Sequence, residues 1–271
     1  MKLAPGYRAL RLLRLGDRVA VYDAWSDERG CRCVVKTLRA RWADARAARE
    51  LEAEARLVLS LTHPHLVRGY ALLRRPRLQL VLETVPGETL GHLLGRRRIT
   101  ARDVARLGIQ LASALRYLHG RGSLHLDLKP SNVICHGGLV KLLDLGLARP
   151  PGRGSPGVGT DDYLAPEQAR GGMLTPATDV FGLGALLYQA AMGRAPFHSS
   201  YGRWQQLDGR APSVAAARRL PAGLGRAIDA CLEPDPSGRP SLEELEAIFA
   251  AVVQGPRRAS SPRPYRAASS R

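Results

Sequence analysis

The residues most able to do chemistry lie in one apolar stretch, SLHLDLKPSNVICHGGLVKLLDLGLA, residues 123–148. Its polar members include a histidine, two carboxylates, a lysine and an amide: His125, Asp127, Lys129, Asn132 and Asp144. Burying such groups among apolar strands is costly, so their presence indicates a function. Phosphoryl transfer needs a base near a hydroxyl, a cation near the moving phosphate, and oxygen ligands for Mg²⁺. This set meets those requirements.

The segments around this stretch predict two different kinds of structure. Before residue 85 the pattern favours strands within 12–22, 31–38, 65–73 and 78–85, and a long amphipathic helix over 43–61. After Pro86-Gly87, helices are predicted at 88–95, 102–120, 165–169, 176–192, 221–233 and 241–254, and short strands at 123–126, 133–135 and 139–143. The chain therefore predicts an α+β architecture in which a small β-rich lobe joins a larger helical lobe.

Length and composition indicate one two-lobed domain, because 271 residues with 45% apolar content are enough for a packed core. No run of roughly 18 apolar residues occurs, and residues 1–14 lack the apolar segment of a signal peptide. We therefore expect a soluble cytoplasmic protein with no membrane span. The four cysteines show no metal-ligand spacing and are interpreted as small apolar fillers in a reducing compartment: Cys31, Cys33, Cys135 and Cys231.

The formal net charge of +17 raises the question of a nucleic-acid or acidic partner. The arginines are scattered, apart from Arg96–Arg98 and the tail, and no aromatic residues interleave with them. Nucleic-acid binding is therefore not expected as the main function. The tail, residues 255–271, is rich in arginine and is predicted to be disordered. Within it, RRAS at Arg257–Ser260 resembles a basic-directed phosphorylation site, although such tails are also common as plain linkers.

Six motifs in order give this chain a specific resemblance. They are HLDLKPSN (125–132), DLG (144–146), GTDDYLAPEQARGG (159–172) with its APE (165–167), DVFGLGALLYQAAMGRAPF (179–197) and DPSGRPS (235–241). Together they resemble a protein kinase of the eukaryotic-like serine/threonine class that bacteria also carry. The resemblance covers residues 7–254 and implies a bilobal fold, with an N-lobe at about 7–84 and a C-lobe at about 88–254.

The resemblance implies a role for each charged residue, with ATP and Mg²⁺ as cofactors. Asp127 matches the catalytic base that orients the substrate hydroxyl and accepts its proton, and Lys129 matches the residue that neutralises the transferring γ-phosphate. Asn132 and Asp144 match the two Mg²⁺ ligands. Lys36 of VVK matches the strand lysine that holds the α- and β-phosphates. The DLKPSN sequence favours serine and threonine over tyrosine as acceptors.

The ion-pair partner of Lys36 must come from the helix that follows it. Three glutamates compete there, Glu50, Glu52 and Glu54. Glu54 is preferred because it precedes His63-Pro64 at the spacing of the matching glutamate in the family. Glu50 lies one turn earlier on the same face and is the second choice, whereas Glu52 is expected on a solvated face.

The adenine is expected to meet the backbone of a hinge at Glu83-Thr84-Val85, with Leu82 before it as gatekeeper. Several aliphatic residues and one glycine complete the implied nucleotide site, although such aliphatics are also ordinary core residues. The nucleotide-binding set is Lys36, Glu54, Leu13, Gly16, Val21, Val34, Glu83, Val85 and Ile134.

The resemblance also implies structural roles for residues in the helical lobe. Glu167 and Arg239 match a buried ion pair that anchors the activation segment. Asp179 matches a scaffold residue, and His125 is expected to be a hydrogen-bonded structural residue rather than a catalyst.

The phosphate-covering loop departs from the family. In LLRLGDRVAVYDAW (12–25), Arg14, Gly16 and Val19 stand where three glycines are expected. Glycine serves there because backbone N–H groups must approach phosphates without an intervening Cβ. The predicted result is a weaker or slower ATP clamp, poorer by about 1–2 kcal/mol. Arg14 also brings a positive charge that could itself meet a phosphate.

A second departure lies beside the catalytic base. Leu126 stands where the family often has an arginine that pairs with a phosphate on the activation segment. We therefore expect activity that does not depend on phosphorylation of that segment. The hydroxyl groups of segment 147–164 belong to Ser155, Thr160 and Tyr163, and Thr160 is expected to contact the catalytic loop.

Two hypotheses follow from the sequence. The first is an ATP- and Mg²⁺-dependent kinase that phosphorylates serine and threonine hydroxyls of protein substrates, since every charged residue of the set is present. The second is a pseudokinase, a nucleotide-binding or interaction module with little transfer, which the altered glycine loop and Leu126 motivate. The oligomeric state, the substrate and the upstream signal stay open.

Overall fold

An antiparallel sheet forms the N-terminal part of the protein. The structure is a computed structural model that describes residues 3–39, 44–199, 203–217 and 220–255. The five strands lie in the order β1-β2-β3-β5-β4. Their bounds are β1 Tyr7–Leu15, β2 Val19–Ser26, β3 Cys31–Leu38, β4 Gly69–Leu73 and β5 Gln79–Glu83. Strand β1 is an edge strand, and every residue in it after Tyr7 is exposed.

One long helix, α1 (Ala45–Ser60), packs against this sheet beside β4. Its N-cap is Asp44, whose carboxylate accepts the backbone N–H of Ala47 at 2.7 Å. The helix buries aliphatic residues at helical spacing, as an amphipathic helix does, but its buried face also carries the charged Glu54. A buried carboxylate requires a partner, so this helix must present Glu54 to a cation.

The remainder of the chain is mainly helical. Its helices are α2 Leu90–Arg96, α3 Ala101–His119, α4 Pro166–Arg170, α5 Pro176–Met192, α6 Val214–Ala217, α7 Ala222–Cys231 and α8 Leu242–Gln254. Helix α5 is buried along most of its length. Helices α3 and α8 approach closely because Gly108 leaves no Cβ where the Phe249 ring lies, 2.6 Å from an ideal Cβ position.

Two small sheets interrupt the helices. Strands β6 (Glu88–Thr89), β7 (Val133–His136) and β8 (Leu139–Leu142) form one, and β9 (Gly152–Arg153) pairs with β10 (Met173–Leu174) in the other. The α+β prediction is confirmed: a β-sheet N-terminal region is followed by a helical remainder. The exact limits of the two lobes stay a prediction.

The strand predicted at 123–126 is wrong. Only an isolated bridge joins Leu124 to Arg149. The backbone N–H groups of His125 and Leu126, which a neighbouring strand would use, instead donate to the carboxylate of Asp179 at 2.7 and 2.8 Å. Leu126 also has φ of +65°, which is incompatible with extended backbone.

The interpretation of the cysteines as fillers is wrong for Cys31, which is exposed. Cys31 is the first residue of β3, next to the β2–β3 turn and beyond the packed part of the sheet. Cys33 and Cys231 are buried. Burial raises the pKa of Cys33 and Cys135 to about 11 and that of Cys231 to about 12, so these three are unreactive thiols at neutral pH.

Two further sequence predictions concern the C-terminal tail and the absence of a membrane-spanning helix. The predicted disordered tail lies outside the described residues after Gly255, and Ser260 lies there as well. Among the helices that the structure describes, none has the length and apolar content needed to cross a bilayer.

Candidate active site

The candidate catalytic loop, residues 125–132, is supported by helix α5. Asp179, in the first turn of that helix, accepts the N–H groups of His125 and Leu126 and also contacts His119 Nε2 at 2.8 Å. His125 is fully buried; its Nε2 lies 3.1 Å from the Leu143 carbonyl oxygen, while its Nδ1 accepts the Asp127 N–H at 3.2 Å. These bonds fix the backbone that presents Asp127.

Three side chains contact the Asp127 carboxylate. Thr160 Oγ1 donates to Asp127 Oδ1 at 2.7 Å, and Lys129 Nζ lies 2.8 Å from Oδ2. Lys129 Nζ also donates to Thr160 Oγ1 at 2.7 Å. Asn132 Nδ2 donates to Asp127 Oδ2 at 3.0 Å and to the Asp127 carbonyl oxygen at 2.9 Å. The structure thus brings together Asp127, Lys129 and Asn132, and Thr160 contacts the catalytic loop.

A second charged group joins the sheet, helix α1 and the DLG segment. Lys36 Nζ lies 2.8 and 2.7 Å from the two oxygens of Glu54 and 2.8 Å from Asp144 Oδ1. Burial lowers the pKa of Lys36, but the two carboxylates outweigh burial and the net pKa is raised. Burial opposes ionisation of Asp144 too, yet Lys36 brings the pKa of that carboxyl down to about 2. Lys36 and Asp144 are therefore both charged at neutral pH.

The other two glutamates of α1 point elsewhere. Glu50 accepts from Arg18 at 3.1 Å and from Arg46 at 2.9 Å. Glu52 pairs with Arg56 and Arg74 on the exposed side. Among the three competing glutamates, Glu54 is the residue that the structure places against Lys36.

The aliphatic residues of the expected adenine site share the face of the sheet that carries Lys36. Val21 pairs directly with Lys36 across β2 and β3, and Val34 pairs with Leu82 across β3 and β5. Residues two apart on a strand, such as Val34 and Lys36, point to the same side. Ile134 is half-buried on β7 in the other part of the molecule.

The remaining members of the nucleotide-binding set lie at the rim. Leu13 is the extra residue of a bulge between Leu12 and Arg14 and is 44% exposed. Val85 is half-buried after β5. The Gly16 N–H donates to the Val19 carbonyl oxygen at 2.9 Å, which closes the β1–β2 turn.

Two interactions of this region have no clear signal in the sequence. Arg14 pairs with Val21 and therefore faces the Lys36 side of the sheet; its Nη1 lies 3.9 Å from Asp144 Oδ2. Glu83, expected to act through its backbone, also accepts the Arg68 N–H at 2.8 Å and pairs with Lys141 through its side chain. Such contacts depend on strand register and on residues 58 positions apart, so local motifs do not reveal them.

Apolar packing and hydrogen bonds, rather than an ion pair, hold the activation segment against the loop at Leu126. Leu126 lies in an apolar cluster with Leu124, Leu174 and Leu147. The Gln168 side-chain amide donates to the carbonyl oxygens of Leu126 and Val158 at 2.8 and 2.7 Å. We call Leu124, Leu126, Leu147 and Leu174 the leucine cluster. Leu126 of this cluster stands where the family's arginine is expected. From the sequence alone only the missing arginine is visible, not the cluster.

The ion pair expected in the helical part is present. Arg239 Nη1 and Nη2 donate to the two Glu167 oxygens at 2.7 and 2.9 Å. The Arg239 side chain is fully buried and also donates to the carbonyl oxygens of Glu233, Pro234 and Ala177. Such a bidentate pair with every donor satisfied fixes the end of the activation segment on helix α5.

The donor set at the DLG segment suits a magnesium ion. Asn132 uses its amide nitrogen toward Asp127, so its amide oxygen is directed away from that carboxylate. Asp144 is ionised and has φ of +57°, a conformation that few non-glycine residues adopt. One amide oxygen and one carboxylate are hard oxygen ligands, which Mg²⁺ prefers.

Three features together define a protein kinase fold. They are the sheet, the helical remainder, and the two clusters of charged side chains around Asp127 and Lys36. The comparisons agree, because the chain belongs to the protein kinase domain family and matches it over residues 7–248. Relatives include the serine/threonine-protein kinase PknA of Mycobacterium tuberculosis, 32% identical over 98% of this chain and 66% of the relative. PkaA of Streptomyces coelicolor is 36% identical over 82% of this chain and 43% of the relative.

A third relative, the serine/threonine-protein kinase pkn3 of Myxococcus xanthus, is 30% identical over 99% of this chain. The chain spans 53% of the length of pkn3. The three relatives are thus longer proteins, of which this chain spans 66%, 43% and 53%. The class of this chain is accordingly a protein kinase domain.

Proposed function

We propose that this chain transfers the γ-phosphate of ATP to serine and threonine hydroxyls of protein substrates. The observation that carries the proposal is the assembled group around Asp127, in which one carboxylate is held by Thr160, Lys129 and Asn132. A carboxylate in this setting can accept a proton while the adjacent cation stabilises charge on a phosphate.

Each residue has one task in the proposed reaction. Asp127 orients the acceptor hydroxyl and takes its proton as the hydroxyl oxygen attacks the γ-phosphorus. The bond between the γ-phosphorus and the bridging oxygen breaks, and ADP leaves with that electron pair. Lys129 stabilises the charge on the transferring group, and Thr160 keeps Asp127 and Lys129 in register.

The second charged group holds the nucleotide in place. Lys36 would meet the α- and β-phosphates, and Glu54 fixes the position of Lys36 from the buried face of α1. Asn132 and Asp144 would hold Mg²⁺, which neutralises phosphate charge when bound. The family generally uses ATP and Mg²⁺, and the oxygen donors present here fit that use.

The β1–β2 hairpin is the weak part of the proposed site. Arg14 and Val19 replace expected glycines, so fewer backbone N–H groups can approach phosphates. Arg14 nevertheless faces the Asp144 side of the cleft, where a cation can meet a phosphate. The proposal is therefore a slower kinase rather than an inactive one. The comparisons give no support to the pseudokinase alternative.

The proposal is tested by incubating the chain with radiolabelled ATP, Mg²⁺ and a generic basic protein, followed by phosphoamino-acid analysis. Phosphoserine and phosphothreonine above the level of an Asp127→Asn control are expected. Label on tyrosine alone would exclude the proposed acceptor class. A signal equal to the control, with ATP still raising the melting temperature, would favour the pseudokinase.

A further inference from the structure

A groove outside the proposed active site lies between α2, α3 and the turn that joins β7 to β8. Its volume is about 420 Å³, which is in the range of pockets that bind ligands. The apolar floor comes from buried side chains of α2, α3, β8 and the α2–α3 connection: Leu90, Leu93, Ile99, Leu107 and Val140. Asp127 and Lys129 do not line it. The groove is therefore separate from the proposed phosphate-transfer site.

The rim of the groove exposes an apolar side chain. Leu139, the first residue of β8 directly after the β7–β8 turn, is 66% exposed and is the most exposed large apolar side chain among the described residues. The turn is held in place by Gln110 of α3, which donates to the Gly138 carbonyl oxygen and accepts the Val140 N–H, both at 3.0 Å. Leu139 is thus presented on a fixed support, where a partner could bury it.

The charge around the groove is positive. Of its two acidic lining residues, Glu88 is paired with Arg96 at 2.6 Å and Asp103 faces Arg106 at 3.7 Å. Arg97 also lines the groove and makes no ion pair with any residue that the structure describes. The neighbouring Arg98 and Arg102 are exposed as well. These arginines include the run that the sequence singled out, and the proposed kinase reaction does not use them.

We propose that this groove docks an acidic, leucine-bearing segment of a partner protein. The apolar floor and Leu139 would receive aliphatic side chains, and Arg97 and Arg106 would pair with carboxylates beside them. A protein segment fits better than nucleic acid, because none of the described lining residues is Phe, Tyr or Trp on which a base could stack. Recognition acts through side chains, since Gln110 already satisfies backbone groups of the β7–β8 turn.

The position of the groove allows docking and phosphate transfer at the same time. The groove includes Gly87 and Glu88, which follow the expected hinge, and its β7 wall follows directly on Asn132. A docked segment would therefore lie on the helical part of the molecule and leave Asp127 accessible. Binding itself requires no ATP, so its measurement does not depend on the proposed reaction.

Fluorescence anisotropy of the full chain tests the proposal with a fluorescein-labelled peptide that repeats Glu-Leu-Asp-Leu. Two matched peptides carry lysine for every acid or serine for every leucine, and an oligothymidylate of the same length serves as a competitor. The acidic leucine peptide is expected to bind at least about tenfold more tightly than either matched peptide. Equal binding of all three peptides, or displacement by the oligothymidylate at lower concentration than by unlabelled peptide, would overturn the proposal.

Variants of the chain test whether the acidic leucine peptide binds in the groove. Arg97→Glu/Arg106→Glu and, separately, Leu139→Ser are each expected to weaken binding by about tenfold. The control is Arg121→Glu/Arg194→Glu, which changes the net charge equally at two exposed positions outside the groove and is expected to bind like the unmodified chain. Melting temperatures establish that each variant is folded. Equal loss in the control and the groove variants would show general electrostatic attraction and contradict docking at this site.

Discussion

The catalytic loop and the β1–β2 hairpin would hold opposite sides of the same nucleotide, yet they are built differently. In the loop, Asp127 has contacts from three side chains, and Asp179 fixes the backbone on either side of His125. The hairpin is an edge of the sheet with an exposed outer strand, closed by one turn at Gly16. In the proposed function the chemistry would depend on the more densely bonded loop, whereas the exposed hairpin would set how well ATP is held.

The largest effect is expected from Asp127→Asn. The amide cannot take the proton of the acceptor hydroxyl, so the rate of phosphate transfer should fall by about 10³-fold, within the range for loss of a general base. The measurement is the initial rate of phosphate incorporation at saturating ATP. Because Asn is nearly isosteric, the melting temperature should stay close to that of the unmodified chain. A rate within twofold of the unmodified chain would remove Asp127 from the mechanism.

A smaller loss is expected from Glu54→Gln. Lys36 would keep Asp144 as its one carboxylate partner, so its position above the phosphates would be less fixed. We expect kcat/KM for ATP to fall by about 10²-fold. Glu50→Gln is the matched control, because Glu50 contacts Arg18 and Arg46 instead, and it should leave kcat/KM unchanged. Equal effects of the two variants would contradict the assignment of Glu54.

In contrast to the two preceding variants, a change in the β1–β2 hairpin should raise kcat/KM for ATP. Arg14→Gly/Val19→Gly restores two of the expected glycines and is predicted to raise kcat/KM for ATP by about tenfold, as expected for relief of about 1–2 kcal/mol. Steady-state kinetics with varied ATP measure it. A fall in kcat/KM would show instead that the Arg14 charge contributes more to phosphate binding than the glycines would.

The smallest effect is expected from removing any phosphate group on the activation segment. Because the leucine cluster holds the activation segment without a phosphate, treatment with a phosphatase should change the transfer rate by less than about twofold. Ser155→Ala should behave in the same way. Leu174→Ala is the positive control. Truncating this buried leucine should destabilise the leucine cluster by about 2–5 kcal/mol. The activation segment would then be held less firmly, and KM for the protein substrate should rise. A large loss after phosphatase treatment would refute independence from phosphorylation.

The sequence predicted the parts of the site that depend on local spacing. Asp127, Lys129 and Asn132 follow one another in one loop, and helix α5 was predicted at 176–192, as it is in the structure. The pairing of Arg14 with Val21, and hence its contact with Asp144, depends on a bulge that leaves Leu13 without a partner on β2. The register between β1 and β2 depends on packing across the whole sheet, so a local sequence pattern cannot predict it.

Residues 123–126 show why one element was predicted wrongly. Their alternation of leucine with polar residues is typical of a strand. In the structure the polar backbone groups there bind Asp179, which lies more than fifty positions away. Two tertiary hydrogen bonds take the place of the strand ladder, and Leu126 has a left-handed backbone directly before Asp127. The departure from the pattern coincides with the candidate catalytic loop.

The most direct test of the whole account is the turnover number for γ-phosphate transfer by the unmodified chain at saturating ATP and Mg²⁺, with Asp127→Asn as the blank. If the proposed function is right, turnover is steady and well above the blank, and it is limited by the hairpin and not by the catalytic loop. Turnover equal to the blank, from a chain whose melting temperature ATP still raises, would contradict it.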